Sequence, residues 1–187
     1  IAVLYNQQEQ YADALSYLQK SLNFRYKDDG HAYAAALVNF CRAYTGLGDF
    51  ENALQYGFES LSLLEKLDDK ATSAHALAQI GNAFLKKNDF YNAQNYFQKS
   101  LEILSCTGDL RGEAETTLLL AEIFLARQNL EEALKLTHQA LDISTEISAQ
   151  NELVRAQELL AYIYKEQGNS DLAYDYLKGY IKSKEKS

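Results

Sequence analysis

Leu47–Leu54 reads LGDFENAL, and its outline returns forty residues later as KNDFYNAQ (Lys87–Gln94), then as RQNLEEAL (Arg127–Leu134) and QGNSDLAY (Gln167–Tyr174). The alanines Ala53, Ala93, Ala133 and Ala173 lie forty apart, and Ala14 precedes Ala53 by 39. Twelve positions before each alanine stands a small residue: Ala2, Cys41, Gly81, Ala121 and Ala161. An aromatic ring follows three positions after that: Tyr5, Tyr44, Phe84, Phe124 and Tyr164. Seven residues past the alanines come Ser21, Ser60, Ser100 and Ala140, with Tyr180 as the exception. Small residues on two antiparallel helices let the backbones approach, a neighbouring ring fills the space beside the contact, and a bulkier residue there costs about 1–3 kcal/mol. Self-similarity at this period marks stacked helix pairs, each burying its apolar face on the next.

The quoted stretch is the turn within each pair. Gly48, Asn88 and Gly168 fall where a helix ends, and both residue types tolerate the left-handed backbone of a helix C-terminus. Gln128 takes that slot in the fourth unit, where its turn is expected to be less comfortable. Asp49, Asp89, Asn129 and Asn169 follow as N-caps of the next helix. Phe50, Phe90 and Leu130 then supply an apolar wedge, which Ser170 does not. A second kind of loop is expected between units at KDDG (Lys27–Gly30), LDDK (Leu67–Lys70), CTGD (Cys106–Asp109) and ISAQ (Ile147–Gln150). The pattern predicts helices over 1–8, 11–26, 32–47, 50–67, 71–87, 90–105, 110–127, 130–146, 150–167 and 170–183.

Composition agrees. The 187 residues are 47% apolar with no proline, no tryptophan and 9 glycines, which favours helix nearly throughout. The formal charge of −8 argues against a nucleic-acid surface, and no apolar run is long enough to span a membrane. Cys41 and Cys106 make no disulfide framework, so a reducing, cytoplasmic setting is expected. The chain opens on IAVLY without a methionine, as expected of a fragment of a longer protein.

The unit resembles the tetratricopeptide repeat, whose pattern is a small residue and a ring on the first helix, a Gly-Asp/Asn-aromatic turn, and an alanine on the second. AYTGLGDFENALQYGFESL (Ala43–Leu61) and AFLKKNDFYNAQNYFQKSL (Ala83–Leu101) carry it well, and the likeness covers the whole chain. The forty-residue period departs from the commoner length of about thirty-four, and the closing proline is missing. Longer units of this kind resemble those of kinesin light chains and of bacterial regulators. The resemblance implies an all-α, right-handed α-α superhelix of about four and a half to five repeats, at roughly 1–28, 32–68, 71–107, 110–147 and 150–184. It implies a concave groove lined by first helices, which binds a protein or peptide segment and performs no catalysis.

Carried over by position, the groove slots hold Asn39, Arg42, His75, Gln79, Asn82, Glu115, Glu122, Arg155, Glu158 and Tyr162. Asn39, Arg42, Gln79 and Asn82 form the most attractive cluster, because amides pair with a peptide backbone and arginine forks a carboxylate. The bland alternative is a solvated polar face. The family's clamp for a C-terminal carboxylate is not supported, since Val38 and Arg42 occupy two of its slots. Glu115, Glu122, Arg155 and Glu158 are expected to pair internally or stay solvated rather than to recognise a basic partner. His75 has no second histidine or cysteine at ligand spacing, so neither metal nor cofactor is expected. His31 is expected in a loop, His138 on a second helix, Cys41 in the core and Cys106 in an exposed loop. No nucleophile elbow, phosphate loop or HExxH helix is present. The competing reading is a regulatory or sensory input module of a bacterial signalling protein, with a homodimer formed through the terminal repeats.

Overall fold

The computed structural model describes residues 10–25 and 29–185. The expected helix at 1–8, with Ala2 and Tyr5, lies outside them. The described residues form nine helices: α1 Tyr11–Arg25, α2 Gly30–Leu47, α3 Phe50–Lys66, α4 Lys70–Lys86, α5 Phe90–Thr107, α6 Leu110–Ala126, α7 Leu130–Glu146, α8 Gln150–Glu166 and α9 Ser170–Lys184. The chain divides into two compact units, residues 1–103 and 104–187, with the boundary inside α5.

The turns are more regular than the sequence implied. A left-handed residue stands every twenty positions: Gly48, Asp68, Asn88, Gly108, Gln128, Ser148 and Gly168, with φ between 51° and 78°. There is thus one kind of turn, used both within repeats and between them. After each left-handed residue, the next N–H reaches back to close the helix. Asp49 N donates to Tyr44 O at 2.9 Å, Asp69 N to Leu64 O at 3.0 Å, and Ala149 N to Ser144 O at 2.8 Å. This is the six-to-one bond of a Schellman motif. The closing residue then caps the following helix: Asp69 accepts from Thr72 N at 3.0 Å and Asp109 from Gly112 N at 2.9 Å. Ala149 makes no side-chain cap.

Three expectations are corrected by this regularity. Asp29 caps α2 from one residue before Gly30, so His31 lies in a helical first turn rather than a loop, with Nδ1 3.0 Å from Asp69 Oδ2. Helix α5 runs on to Thr107, which puts the exposed Cys106 in its last turn. The loops expected at 67–70, 106–109 and 147–150 shrink to the same short turn as those within repeats, while the loop expected at 27–30 lies partly outside the described residues.

Packing follows the small-residue slots. Ala53, Ala93 and Ala133 are fully buried, as are Cys41 and Ala121. Cys41, Ala53 and Ala83 form one cluster. Burial pushes the Cys41 thiol up to about 12. Ser60 Oγ donates to Ala34 O at 2.9 Å and Ser100 Oγ to Ala74 O at 2.8 Å, tying second helix to first in successive repeats. The rings stack in register: Tyr44 on Tyr56 at 5.4 Å, Phe84 on Tyr96 at 5.5 Å, Tyr164 on Tyr176 at 5.5 Å. In the fourth repeat the equivalent of the second ring is Leu136.

Within each unit the first helices also touch one another, α2 against α4 and α6 against α8, whereas the second helices α7 and α9 make no such contact. In the second unit the first helices are therefore the more closely spaced, and in both units the candidate site lies on first helices.

Candidate functional site

A first helix enclosed by its own second helix and by neighbouring repeats keeps little accessible surface. On α4 every residue from Ser73 to Ala83 is buried except His75 and Asn82. On α6 the stretch from Ala114 to Ala121 is buried apart from Glu115, and Glu122 follows as the next half-buried position. Residues seven apart share a helix face. The accessible strip is thus a pair on α4 (His75 and Asn82) and on α6 (Glu115 and Glu122), whereas α2 leaves Val38 and Asn39 half-buried between Ala35 and Arg42, and α8 leaves Glu158 exposed between Arg155 and Tyr162.

The candidate residues fall into two groups, one per unit. In the first, Arg42 Nε donates to Gln79 Oε1 at 3.2 Å, across from α2 to α4. Gln79 is only 4% exposed, so it is a buried link to Arg42 and not the open peptide-facing amide expected from its position. Asn39 is half-buried, and its Nδ2 donates to Ala35 O at 2.9 Å, within its own helix. Asn82 differs from both: its Oδ1 is buried and has no hydrogen-bond partner.

In the second unit, Arg155 Nη2 donates to Glu122 Oε1, joining α8 to α6 in a half-buried ion pair. Glu115 is half-buried, while Glu158 and Tyr162 are exposed, Tyr162 at 52%. A further link escaped the sequence reading: Arg111 Nη1 lies 3.5 Å from the largely buried Glu152, at the N-terminal ends of α6 and α8. The useful signal was a separation near one repeat, shared with the Arg42–Gln79 and His31–Asp69 contacts. His138 lies on second helix α7 with Nε2 3.0 Å from Tyr164 Oη, edge-on to Tyr164 and Tyr176. Among the described residues, no group of three or more His, Cys, Asp or Glu side chains could hold a metal ion, and no helix is long and apolar enough to cross a membrane.

Profiles of the tetratricopeptide repeat match residues 1–66, 32–105 and 154–187. The chain belongs to the tetratricopeptide-repeat family. No curated protein matches it by sequence. By structure, the repeats are similar to a Rap protein complexed with competence and sporulation factor, with a TM-score of 0.90 and 17% identity over 97% of this chain and 51% of that one. They are also similar to the Rap conjugation gene regulator of plasmid pLS20 in complex with the Phr peptide, at 0.89 and 15% over 99% and 52%. A putative kinesin light chain from Podospora anserina, with nearly identical repeats, gives 0.68 and 18% over 99% and 92%. At these identities the likeness establishes a tetratricopeptide-type helical solenoid. This tetratricopeptide-repeat chain spans about half the length of the two Rap proteins.

Proposed function

We propose that the chain is one tetratricopeptide array, with repeats at roughly 1–28, 32–68, 71–107, 110–147 and 150–184, that binds a protein or peptide segment along its first helices. It acts in the cytoplasm as a non-catalytic scaffold, without metal or cofactor. The observation carrying this reading is the buried, unpartnered Oδ1 of Asn82. An unpaired buried carbonyl costs about 1–3 kcal/mol, and the backbone N–H of an extended segment supplies the missing donor. A carboxamide both accepts and donates, so it can hold N–H and C=O of the same segment. Arg42, steadied by Gln79 of the same helix as Asn82, adds a charged donor. Two Rap proteins of like fold are held with competence and sporulation factor and with a Phr peptide, which supports a peptide as the ligand.

Peptides selected from a random displayed library on this chain provide the probe. Asn82→Ala and Arg42→Ala should each weaken them about 5–10-fold by calorimetry, the effect of roughly one lost hydrogen bond. Helix content should stay unchanged. Peptides that bind the double variant as tightly as the parent chain would move the site elsewhere.

The second reading, a regulatory input module of a signalling protein, draws its support from α9, whose outer face leaves Leu172, Tyr174, Leu177 and Ile181 exposed. A kinase, cyclase or DNA-binding domain encoded after Ser187 in the same reading frame would favour it. An output domain absent from that frame would dismiss it.

A further inference from the structure

Within the first unit, residues of the second helices α3 and α5 and of the first helix α4 enclose a cavity of about 530 Å³. Its lining includes the buried Leu64, Ser73 and Leu77 and the half-buried Leu61, Tyr96 and Ile103. Neither His75 nor Asn82 reaches it, so it is separate from the first-helix site. Its volume lies inside the range of roughly 300–1,000 Å³ that small-molecule pockets occupy, and a mainly apolar lining with a few polar groups is what such pockets share. Eighty residues on, in the second unit, Gln150 Nε2 crosses from α8 to donate to Ser183 O on α9 at 2.8 Å. The matching slots in the first unit hold Lys70 and Ile103, and both line the cavity.

Charge decides what the cavity accepts. Six ionisable side chains line it: Glu65, Asp68, Asp69, Lys70, Lys99 and Glu102. Asp69 is already engaged, by Thr72 N at 3.0 Å, Thr72 Oγ1 at 2.9 Å and His31 Nδ1 at 3.0 Å. Lys99 holds its ammonium 5.5 Å from the centroid of the Tyr96 ring. Glu65, Asp68 and Glu102 are exposed, and none of the three is in an ion pair among the described residues. Three carboxylates therefore stand against the single charge of Lys70. The N-terminus of α4 would favour an anion, but Asp69 already caps it.

We propose that this cavity binds a small organic monocation: a protonated primary amine carried on an aromatic or branched apolar body. The body lies against Leu61, Leu64 and Leu77, and the ammonium, with three donors and no acceptor, faces Glu65 and Glu102. An acid of the same shape brings its charge against the unpaired carboxylates. The pocket is independent of the first-helix site and stands or falls separately from peptide binding.

Titration of the isotope-labelled chain with tryptamine, followed by amide shifts in nuclear magnetic resonance, tests this. A ligand of that size should bind with a Kd on the order of 1 mM or tighter. Shifts should centre on Ser73, Leu77 and Ile103. Indole-3-propionate, which exchanges the ammonium for a carboxylate, should bind at least about fivefold more weakly. The double variant Glu65→Gln and Glu102→Gln, at two exposed positions, should weaken tryptamine at least about fivefold and narrow its advantage over the acid. Asn82→Ala should leave the tryptamine titration unchanged. Shifts absent at about ten times the expected Kd, or centred on the first-helix strip, overturn the proposal. So does an acid that binds as tightly as the amine, a double variant that keeps the parent's affinity, or an Asn82→Ala chain that loses it.

Discussion

Gly81→Ala sets two opposing effects against each other in the middle of α4. Replacing a mid-helix glycine by alanine favours the helix by about 1 kcal/mol. Against this, the new Cβ would stand 2.6 Å from Phe97 Cε1, 2.7 Å from Phe97 Cδ1 and 3.3 Å from Ala93 O. Phe97 is fully buried and the third neighbour is backbone, so neither can move aside cheaply. Overpacking of this kind costs about 1–3 kcal/mol, leaving a net destabilisation near 1 kcal/mol. The other repeats show how the clash is relieved. The slots sixteen residues apart trade volume: Cys41 with Gly57, Gly81 with Phe97, Ala121 with Thr137. Phe97→Thr alone should cost about 3 kcal/mol through the cavity it leaves. The double variant reproduces the Ala121 and Thr137 pair, in which Thr137 Oγ1 donates to Ala133 O at 2.6 Å. It should therefore be more stable than the sum of the single effects by at least about 1 kcal/mol. Urea unfolding followed by circular dichroism on all four chains measures this coupling. A Gly81→Ala chain as stable as its parent, or a coupling of zero, would refute the volume argument.

Two further perturbations probe the turns. Gln128 holds a left-handed φ of 61°, which costs an L residue about 1–2 kcal/mol, while glycine there adds about 0.5–1 kcal/mol of unfolded-state entropy. Gln128→Gly should thus stabilise by up to about 1 kcal/mol and raise Tm by about 2–4 °C in calorimetry; a lower Tm would count against the turn assignment. The Asp69 carboxyl is held below its usual range by the Thr72 backbone N–H and by His31. A depressed carboxylate stabilises fully above its unfolded pKa of about 3.9 and loses that contribution as pH falls through its folded value. Asp69→Asn keeps an N-cap but not the charge. The Tm gap between parent and variant should accordingly hold steady above about pH 5 and close toward pH 3, and a gap that widens in acid would contradict the sign.

The repeat, its packing slots and most helix boundaries were legible because each slot demands one kind of residue. Cys41, Gly81 and Ala121 answer a limit on volume, and Gly48, Asn88 and Gly168 answer a limit on φ. The turns between repeats were harder to read, because Asp68 and Ser148 adopt the same left-handed backbone without the residue types that announce it. Backbone bonds to the preceding helix impose that conformation, and backbone bonds leave little mark on side-chain choice. Gln79 was misread for a related reason. A polar residue counts as outward-facing in any hydrophobic pattern, yet its amide is sealed beneath Arg42 and becomes part of the helix-to-helix contact.

The burial pattern also narrows where specificity can reside. On α4, ten of the helix's residues are buried, against four on α3. Helix α4 is therefore committed to packing, and between Ser73 and Ala83 only His75 and Asn82 remain accessible. The matching pair on α6 is Glu115 and Glu122, so the same two positions change from neutral polar groups to carboxylates between one repeat and the next. Exchanging these pairs would alter the charge offered to a ligand without touching Cys41, Gly81, Ala121 or the turns that fix the helices. LGDFENAL and its copies recur because packing and backbone geometry allow few substitutes, whereas the accessible first-helix positions differ because they answer to a polar partner, as Arg42 does to Gln79 and Glu122 to Arg155, and not to a fixed volume. The proposed recognition is therefore to be sought where the repeats disagree, on the accessible positions of the first helices.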